Sequence, residues 1–218
     1  MCASRIAVVT GASRGLGLEW VRQLSEDPQT FVIAVVRNPE KAKQTSTLSR
    51  QNVVVVKADL SDLKSFSTVA ANISELSGGK IDILINNAGL MLGEGGKLDT
   101  KISKSTPEQW TEEFNVNVLG AVFFTITLIP LLENGTEKKV VNITSMLADL
   151  DYTLANPDLQ FATYSVTKAS VILANAKFHT EFKERGFTFL ALNPGWVNTD
   201  LGGIHVSFFK HFDRELES

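Results

Sequence analysis

An alternation constrains this chain more than any other feature. Short β-branched runs occur at Arg5–Thr10, Phe31–Val36, Asn52–Lys57, Ile81–Ile85, Lys138–Thr144 and Phe187–Leu192. Each is about six residues long and bounded by turn or charged residues, as strands buried on both faces are. Helical spacing fills the gaps. Leu16, Val21 and Leu24 mark a first helix. Leu63, Phe66, Val69, Ile73 and Leu76 mark a second, opened by Ser61 or Asp62 as the capping residue. Thr106 followed by Pro107 starts a third, which carries Trp110, Phe114, Val118, Ala121 and Val122. Gln160 to Arg185 reads as another, stopped by Gly186. Strands alternating with helices require right-handed βαβ crossovers and a parallel sheet covered on both faces. The expected fold is a single doubly wound α/β domain, in which ligands bind at the carboxyl ends of the strands.

Composition agrees and narrows the function. The chain has 218 residues, 44% of them hydrophobic, enough for one full core. A net charge of −3 without a block of Lys or Arg disfavours nucleic acid or an anionic membrane as partner. The apolar stretch Val116 to Leu132 contains Asn117, Gly120, Thr125, Thr127 and Pro130, and reads as a buried helix rather than a membrane span. Cys2 stands alone, which fits a reducing compartment, and the first ten residues lack the apolar region and cleavage site of a secretion signal. A cytoplasmic location is therefore expected. Nothing suggests a metal cluster; His205 and His211 read as solvated.

Directly after the first strand, Thr10-Gly11-Ala12-Ser13-Arg14-Gly15-Leu16-Gly17 runs into helix. Glycines there allow a tight turn and close approach of a pyrophosphate, and the helix start offers unpaired N–H groups to phosphate oxygens. A NAD site places an acid at the end of the second strand to bind the ribose 2′-hydroxyl. Here the chain reads Arg37-Asn38-Pro39 instead, and Arg37, with Arg14 in the turn, suits a 2′-phosphate. NADP(H) is expected in preference to NAD(H).

Tyr164 and Lys168 are four residues apart in Tyr164-Ser165-Val166-Thr167-Lys168, on one helical face. A nearby ammonium is expected to lower the phenol's pKa from its ordinary value near 10, so that it can exchange a proton with a carbonyl or alcohol oxygen. Val140 to Ser145 ends a strand with hydroxyls at its carboxyl edge. Ser145 could orient the substrate oxygen, with Thr144 the competing hydroxyl because strand side chains alternate. Asn117 lies in an apolar helix, either as a packing hydrogen bond or holding a water for proton relay. Asn86-Asn87-Ala88-Gly89 follows the fourth strand, Asn193-Pro194-Gly195-Trp196-Val197-Asn198-Thr199 the sixth, and Asp59 the third, where it either faces a ligand or caps the next helix.

Together these residues resemble the short-chain dehydrogenase/reductase family, from about Arg5 to Thr199. The resemblance implies a catalytic tetrad of Asn117, Ser145, Tyr164 and Lys168, in which Tyr164 is the acid–base, Ser145 positions the carbonyl, Lys168 tunes Tyr164 and binds the nicotinamide ribose, and Asn117 holds a relay water. It implies a cofactor site of Gly11, Ser13, Arg14, Gly15, Leu16, Gly17 and Arg37, with Asp59 and Leu60 at the adenine. Asn86, Ala88 and Gly89 would line the cleft, and Pro194, Gly195, Val197 and Thr199 would flank the nicotinamide. Within the family the chain is similar to compact carbonyl reductases of the C-factor and sniffer type and to fungal ketoreductases. This implies a carbonyl reductase or the reverse alcohol dehydrogenase, acting on a small molecule as a homodimer or homotetramer. A non-catalytic NADP-binding regulatory or scaffold protein, and an isomerase or dehydratase on the same site, are the alternatives.

Two features depart from the family. Ser145 and Tyr164 are nineteen positions apart, with Asp149 to Pro157 inserted between them. Beyond Thr199 only a short segment remains, where the family continues to a seventh strand. Residues 1–200 thus read as the catalytic domain and 201–218 as a short tail, whose Phe208, Phe209 and Phe212 could form a lid or interface helix.

Overall fold

A computed structural model describes residues 4–42, 45, 50–93, 100–195 and 197. Six strands form one parallel sheet: β1 (Arg5–Thr10), β2 (Thr30–Val36), β3 (Val53–Lys57), β4 (Ile83–Asn86), β5 (Lys139–Ile143) and β6 (Thr188–Leu192). Their order is β3-β2-β1-β4-β5-β6. The chain winds outward from β1 to β3, returns to pair β4 with β1, and winds the other way, so the switch point lies between β1 and β4.

Continuous apolar strands are explained by two covered faces. Alternate β1 residues Ile6 and Val8 join Ile33, Val35 and Val56 in one core, under Phe66, Val69, Ile73, Phe124, Leu128 and Leu132. Ala7 and Val9 join Val32, Ala34, Ile83 and Ile85 in the other, under Val21. The helices supplying these contacts are α1 (Gly15–Leu24), α2 (Phe66–Ser77) and α4 (Ala121–Glu133), while α3 (Pro107–Phe114) precedes α4. A π-helical segment, Asn115–Gly120, joins α3 to α4. α5 (Leu150–Ala155) and α6 (Ala162–Phe182) follow β5.

The continuous helix Pro107–Glu133 is longer than the Val116–Leu132 run implies, and by length and composition alone could cross a membrane. Phe124, Leu128 and Leu132 are instead fully buried, as in a core helix. Its start is as expected: Thr106 accepts from the Gln109 amide, the Gln109 side chain returns to the Thr106 amide, and Pro107 follows the cap.

Two helix boundaries differ from expectation. The second helix opens with a 3-10 turn at Leu63–Ser65, and neither Ser61 nor Asp62 caps it through a side chain. The helix expected from Gln160 to Arg185 is α6, followed by a 3-10 turn at Lys183–Arg185. It starts late because Phe161 takes a left-handed conformation at φ +34°, which breaks the helical hydrogen-bond run. The tail 201–218 lies outside the described residues.

Candidate active site

At the carboxyl ends of the strands a cleft of about 340 Å³ runs from the glycine turn to the start of α6. Gly11 has φ +66°, and a Cβ there would lie 2.7 Å from Ala88 Cα. A Cβ on Gly17 would run into the Gly11 carbonyl and the Asn87 amide. Glycine is thus required by close packing between the turn and the loop after β4. The same loop is stapled to β1: Thr10 Oγ1 accepts from the Asn87 and Ala88 amides, both at 3.1 Å, and Asn87 Nδ2 donates to the Thr10 carbonyl at 2.9 Å.

Ser13, Arg14, Gly15, Leu16 and Gly17 line one end of the cleft, with Arg37 after β2 and Asp59 and Leu60 after β3. Arg14 and Arg37 are exposed on its rim. Asp59 caps no helix; its carboxylate accepts from the Ser61 amide at 2.9 Å and hydroxyl at 2.7 Å. Burial works against its ionisation, but the two Ser61 bonds and the Arg37 charge outweigh that and hold it below the usual range. A glycine turn at a helix start, two rim cations and an adjacent apolar slot at Val35 and Ala58 fit a dinucleotide carrying an extra phosphate.

Ser145, Tyr164 and Lys168 line the other end. Ser145 lies two residues past β5 and opens a 3-10 turn, Met146–Ala148, its Oγ accepting from the Leu147 amide at 3.2 Å. That leaves its proton available to a substrate oxygen. Thr144 also lines the cleft but is buried, and its amide continues the sheet ladder to the Leu192 carbonyl at 2.8 Å. Lys168 is buried; its Nζ donates to the Ile143 carbonyl at 2.8 Å and lies 5.5 Å from the centre of the Tyr164 ring.

The expected fall in the Tyr164 pKa is not seen. Burial, aided by the charge of Glu113, pushes the phenol up to about 12, and burial pushes Lys168 down to about 8. Desolvation outweighs the pairing because it acts on both partners and penalises each charged form.

Asn117 sits in the π-helical segment, a widened turn of the kind found at functional sites. Its side chain takes the packing role: Oδ1 accepts from the Leu90 amide at 2.7 Å, and Nδ2 donates to the Leu90 carbonyl at 2.8 Å and Thr167 Oγ1 at 3.0 Å. It thereby ties the loop after β4 to the residue before Lys168. Gly89 lies against both, since a Cβ there would sit 3.5 Å from Lys168 Nζ and 3.7 Å from Asn117 Oδ1.

Residues 5–205 match the short chain dehydrogenase family. The chain belongs to that family. It is 37% identical over 205 residues to the short-chain dehydrogenase/reductase atnB of an Arthrinium species, spanning 88% of this chain and 74% of the relative. It is 34% identical over 200 residues to the short chain dehydrogenase virK of Hypocrea virens, spanning 88% and 73%. Among solved structures, the NADPH-bound carbonyl reductase from chicken fatty liver superposes with a TM-score of 0.83 at 26% identity, over 93% of this chain and 80% of that one. The carbonyl reductase Sniffer of D. melanogaster superposes with a TM-score of 0.81 over 91% and 83%; at 23% identity this likeness concerns the fold.

Ala88, Gly89, Pro194, Gly195 and Val197 also lie along the cleft, while Thr199 falls outside the described residues. Asn86 requires a correction. As the last residue of β4 it faces away from the cleft, its Nδ2 donating to Thr125 Oγ1 at 2.8 Å and Asn142 Oδ1 at 2.9 Å. Strand alternation puts Asn87, not Asn86, on the cleft. Asn142 continues the buried amide chain, its Nδ2 donating to Asn175 Oδ1 at 2.8 Å.

Sequence reasoning missed the apolar wall. Met91, Leu147, Leu159 and Phe161 form a separate cluster with Tyr152 and Tyr164 packed on it. Tyr152 belongs to α5, so the inserted segment Asp149–Pro157 folds back onto this end of the site. It also missed Glu113, which is fully buried. One signal was present: Glu113 falls three residues after Trp110 and four before Asn117, on the inward face of the helix.

Proposed function

We propose that this chain is an NADPH-dependent oxidoreductase that reduces an aldehyde or ketone to an alcohol, or runs the reverse, with Tyr164 as the acid–base. One observation carries the reading: a single cleft joins the glycine turn and its rim arginines to Ser145, Tyr164 and Lys168. When bound, NADPH supplies the hydride for the carbonyl carbon. The chain's residues handle the oxygen. Ser145 donates its hydroxyl proton to that oxygen and fixes its direction. Tyr164, protonated at neutral pH, delivers the proton that completes the alcohol. Lys168 keeps a positive charge near the phenol and stabilises the phenolate left behind. Gly11 to Gly17 would hold the pyrophosphate, Arg14 and Arg37 the 2′-phosphate, and Asp59 and Leu60 the adenine.

The preference for NADPH is supported by Arg37 standing where a NAD site has an acid. The chicken fatty liver reductase is itself described with NADPH. A substrate with an apolar body suits the wall of Met91, Leu147 and Phe161. The domain assignment 1–200 and a cytoplasmic location belong to the same proposal, the latter supported by the lone Cys2. So does a homodimer or homotetramer, supported by exposed Phe123 and Ile126 on α4 and Leu173 on α6 and checked by light scattering.

The test is NADPH oxidation with a panel of aldehydes, ketones and quinones. Tyr164→Phe is expected to lower kcat by roughly 10²- to 10⁴-fold while NADPH still binds. Undiminished turnover in that variant overturns the mechanism. NADPH binding without turnover across the panel turns the reading to a non-catalytic binding protein, and product formed without any change in cofactor absorbance turns it to an isomerase or dehydratase.

A further inference from the structure

Behind Tyr164 lies a carboxyl that the proposed reaction does not use. Glu113, on α3, is fully buried. Its Oε1 accepts from the Leu92 amide at 2.7 Å, next to Met91 on the cleft wall, and among the described residues its Oε2 has no hydrogen-bond partner. α3 packs on α6 and the π-helical segment. α6 brings Tyr164 to this region, with Lys168 one turn further on. The π-helical segment and residues 90–93 carry no titratable side chain, and α3 itself adds Glu112. The Glu113 carboxyl lies within reach of the side chain of Thr163, the residue before Tyr164, and its charge reaches the phenol through a buried medium of low dielectric, where like charges repel strongly.

We propose that Glu113 is a positioning residue whose charge state governs how firmly Tyr164 holds its proton. This rests on the reading of Tyr164 as acid–base. Burial pushes the Glu113 carboxyl up to about 7, against the pull of the Leu92 amide and the nearby Thr163 side chain, so its proton comes off near neutrality. Below that pH Glu113 is neutral and Tyr164 feels no opposing charge. Above it, the carboxylate disfavours a phenolate and keeps Tyr164 in the form that donates, which favours carbonyl reduction over alcohol oxidation.

Two readouts test this on the full-length protein. Glu113→Gln keeps an acceptor for the Leu92 amide and removes the charge. The first readout is infrared difference spectroscopy across neutral pH, which needs no substrate. The wild type should lose a protonated-carboxyl band with a midpoint near pH 7, accompanied by a shift in a tyrosine ring mode. Glu113→Gln should show neither change, and Tyr164→Phe should keep the carboxyl band but lose the ring-mode shift. A carboxyl that titrates without a Tyr164 response overturns the proposal, as does the absence of any carboxyl titration near neutrality.

The second readout is the pH profile. In Glu113→Gln the alkaline fall of carbonyl reduction should move to lower pH by roughly 0.5 to 1 unit, with KM unchanged. A purely structural role would lower kcat or raise KM without moving the profile, and superimposable profiles overturn the coupling. If the wild type turns over no substrate, the activity reading fails while the infrared result still decides the role of Glu113.

Discussion

Two buried carboxyls sit at opposite ends of the sheet and are treated in opposite ways. Asp82 lies at the amino ends, just before β4. It accepts from the Ile6 amide at 2.8 Å, the Thr136 amide at 2.7 Å and the Thr136 hydroxyl at 2.9 Å. Burial opposes its charge, but these donors and Lys80 outweigh burial and hold it below the usual carboxylate range. Glu113, at the carboxyl ends, receives one amide and is pushed up to about 7. The chemical group is nearly the same; burial raises both, and the donors and neighbouring charges, Lys80 beside Asp82 but Glu112 beside Glu113, decide the sign of the shift. One end of the sheet spends its polar groups on bracing. The other leaves Glu113 bonded to the Leu92 amide, next to Met91 on the cleft wall.

That contrast can be broken by substitution. The largest expected effect is at Asp82. Asp82→Ala strands three donors in a buried site and should cost about 4 kcal/mol of unfolding free energy, measured by urea denaturation. The folded fraction should keep its turnover, because the change lies at the far end of the sheet.

The next effect is at Glu113 and depends on pH. Its folded-state pKa is raised, so its relative stabilisation is full below the unfolded value near 4.3 and is lost as pH rises through about 7. The loss is on the order of 3 to 4 kcal/mol. Glu113→Gln should remove this slope, leaving stability flatter between about pH 4 and pH 7 in thermal scans. Asp82 has the opposite sign: its contribution is present above the unfolded value near 3.9 and is lost as pH falls through the depressed folded value. Asp82→Asn should therefore be less stable at neutral pH and should lack the Asp82-linked part of the fall in stability as pH drops below about 4, measured by urea melts at a series of pH values.

Smaller effects sharpen the comparison within the carboxyl-end half. Asn142→Ala cuts the amide chain from Asn86 to Asn175 and should cost roughly 1 to 2 kcal/mol in denaturant melts. Arg37→Asp, on the exposed rim, should move cofactor preference toward NADH by about tenfold in kcat/KM, with little change in stability. Equal preference before and after would make Arg37 a bystander.

Much of this was legible in sequence because it depends on local chemistry. The six runs became six strands within one or two residues, since continuous β-branched segments bounded by turns have few other stable forms. The capped start of α3 at Thr106-Pro107 was readable for the same reason. The glycine turn, Ser145, Tyr164 and Lys168 were found by spacing, and the fold then brought them to one cleft. What misled was anything set by which way a side chain faces. Asn86 and Asn87 are neighbours in sequence, yet only Asn87 faces the cleft, because β4 alternates and its register against β5 pairs Asn86 with Asn142.

By itself, then, the sequence determined the parallel α/β architecture, which follows from residue type and periodicity, and the family, which its motifs carry. Tertiary structure alone decided the electrostatics. Tyr164 rises to about 12 instead of falling, and the charge of Glu113 acts on it, because desolvation and long-range charge depend on what surrounds a group in space. The surroundings of both come from segments far apart in the chain, the 90–93 loop, α3 and α6, and no spacing rule records how those segments meet.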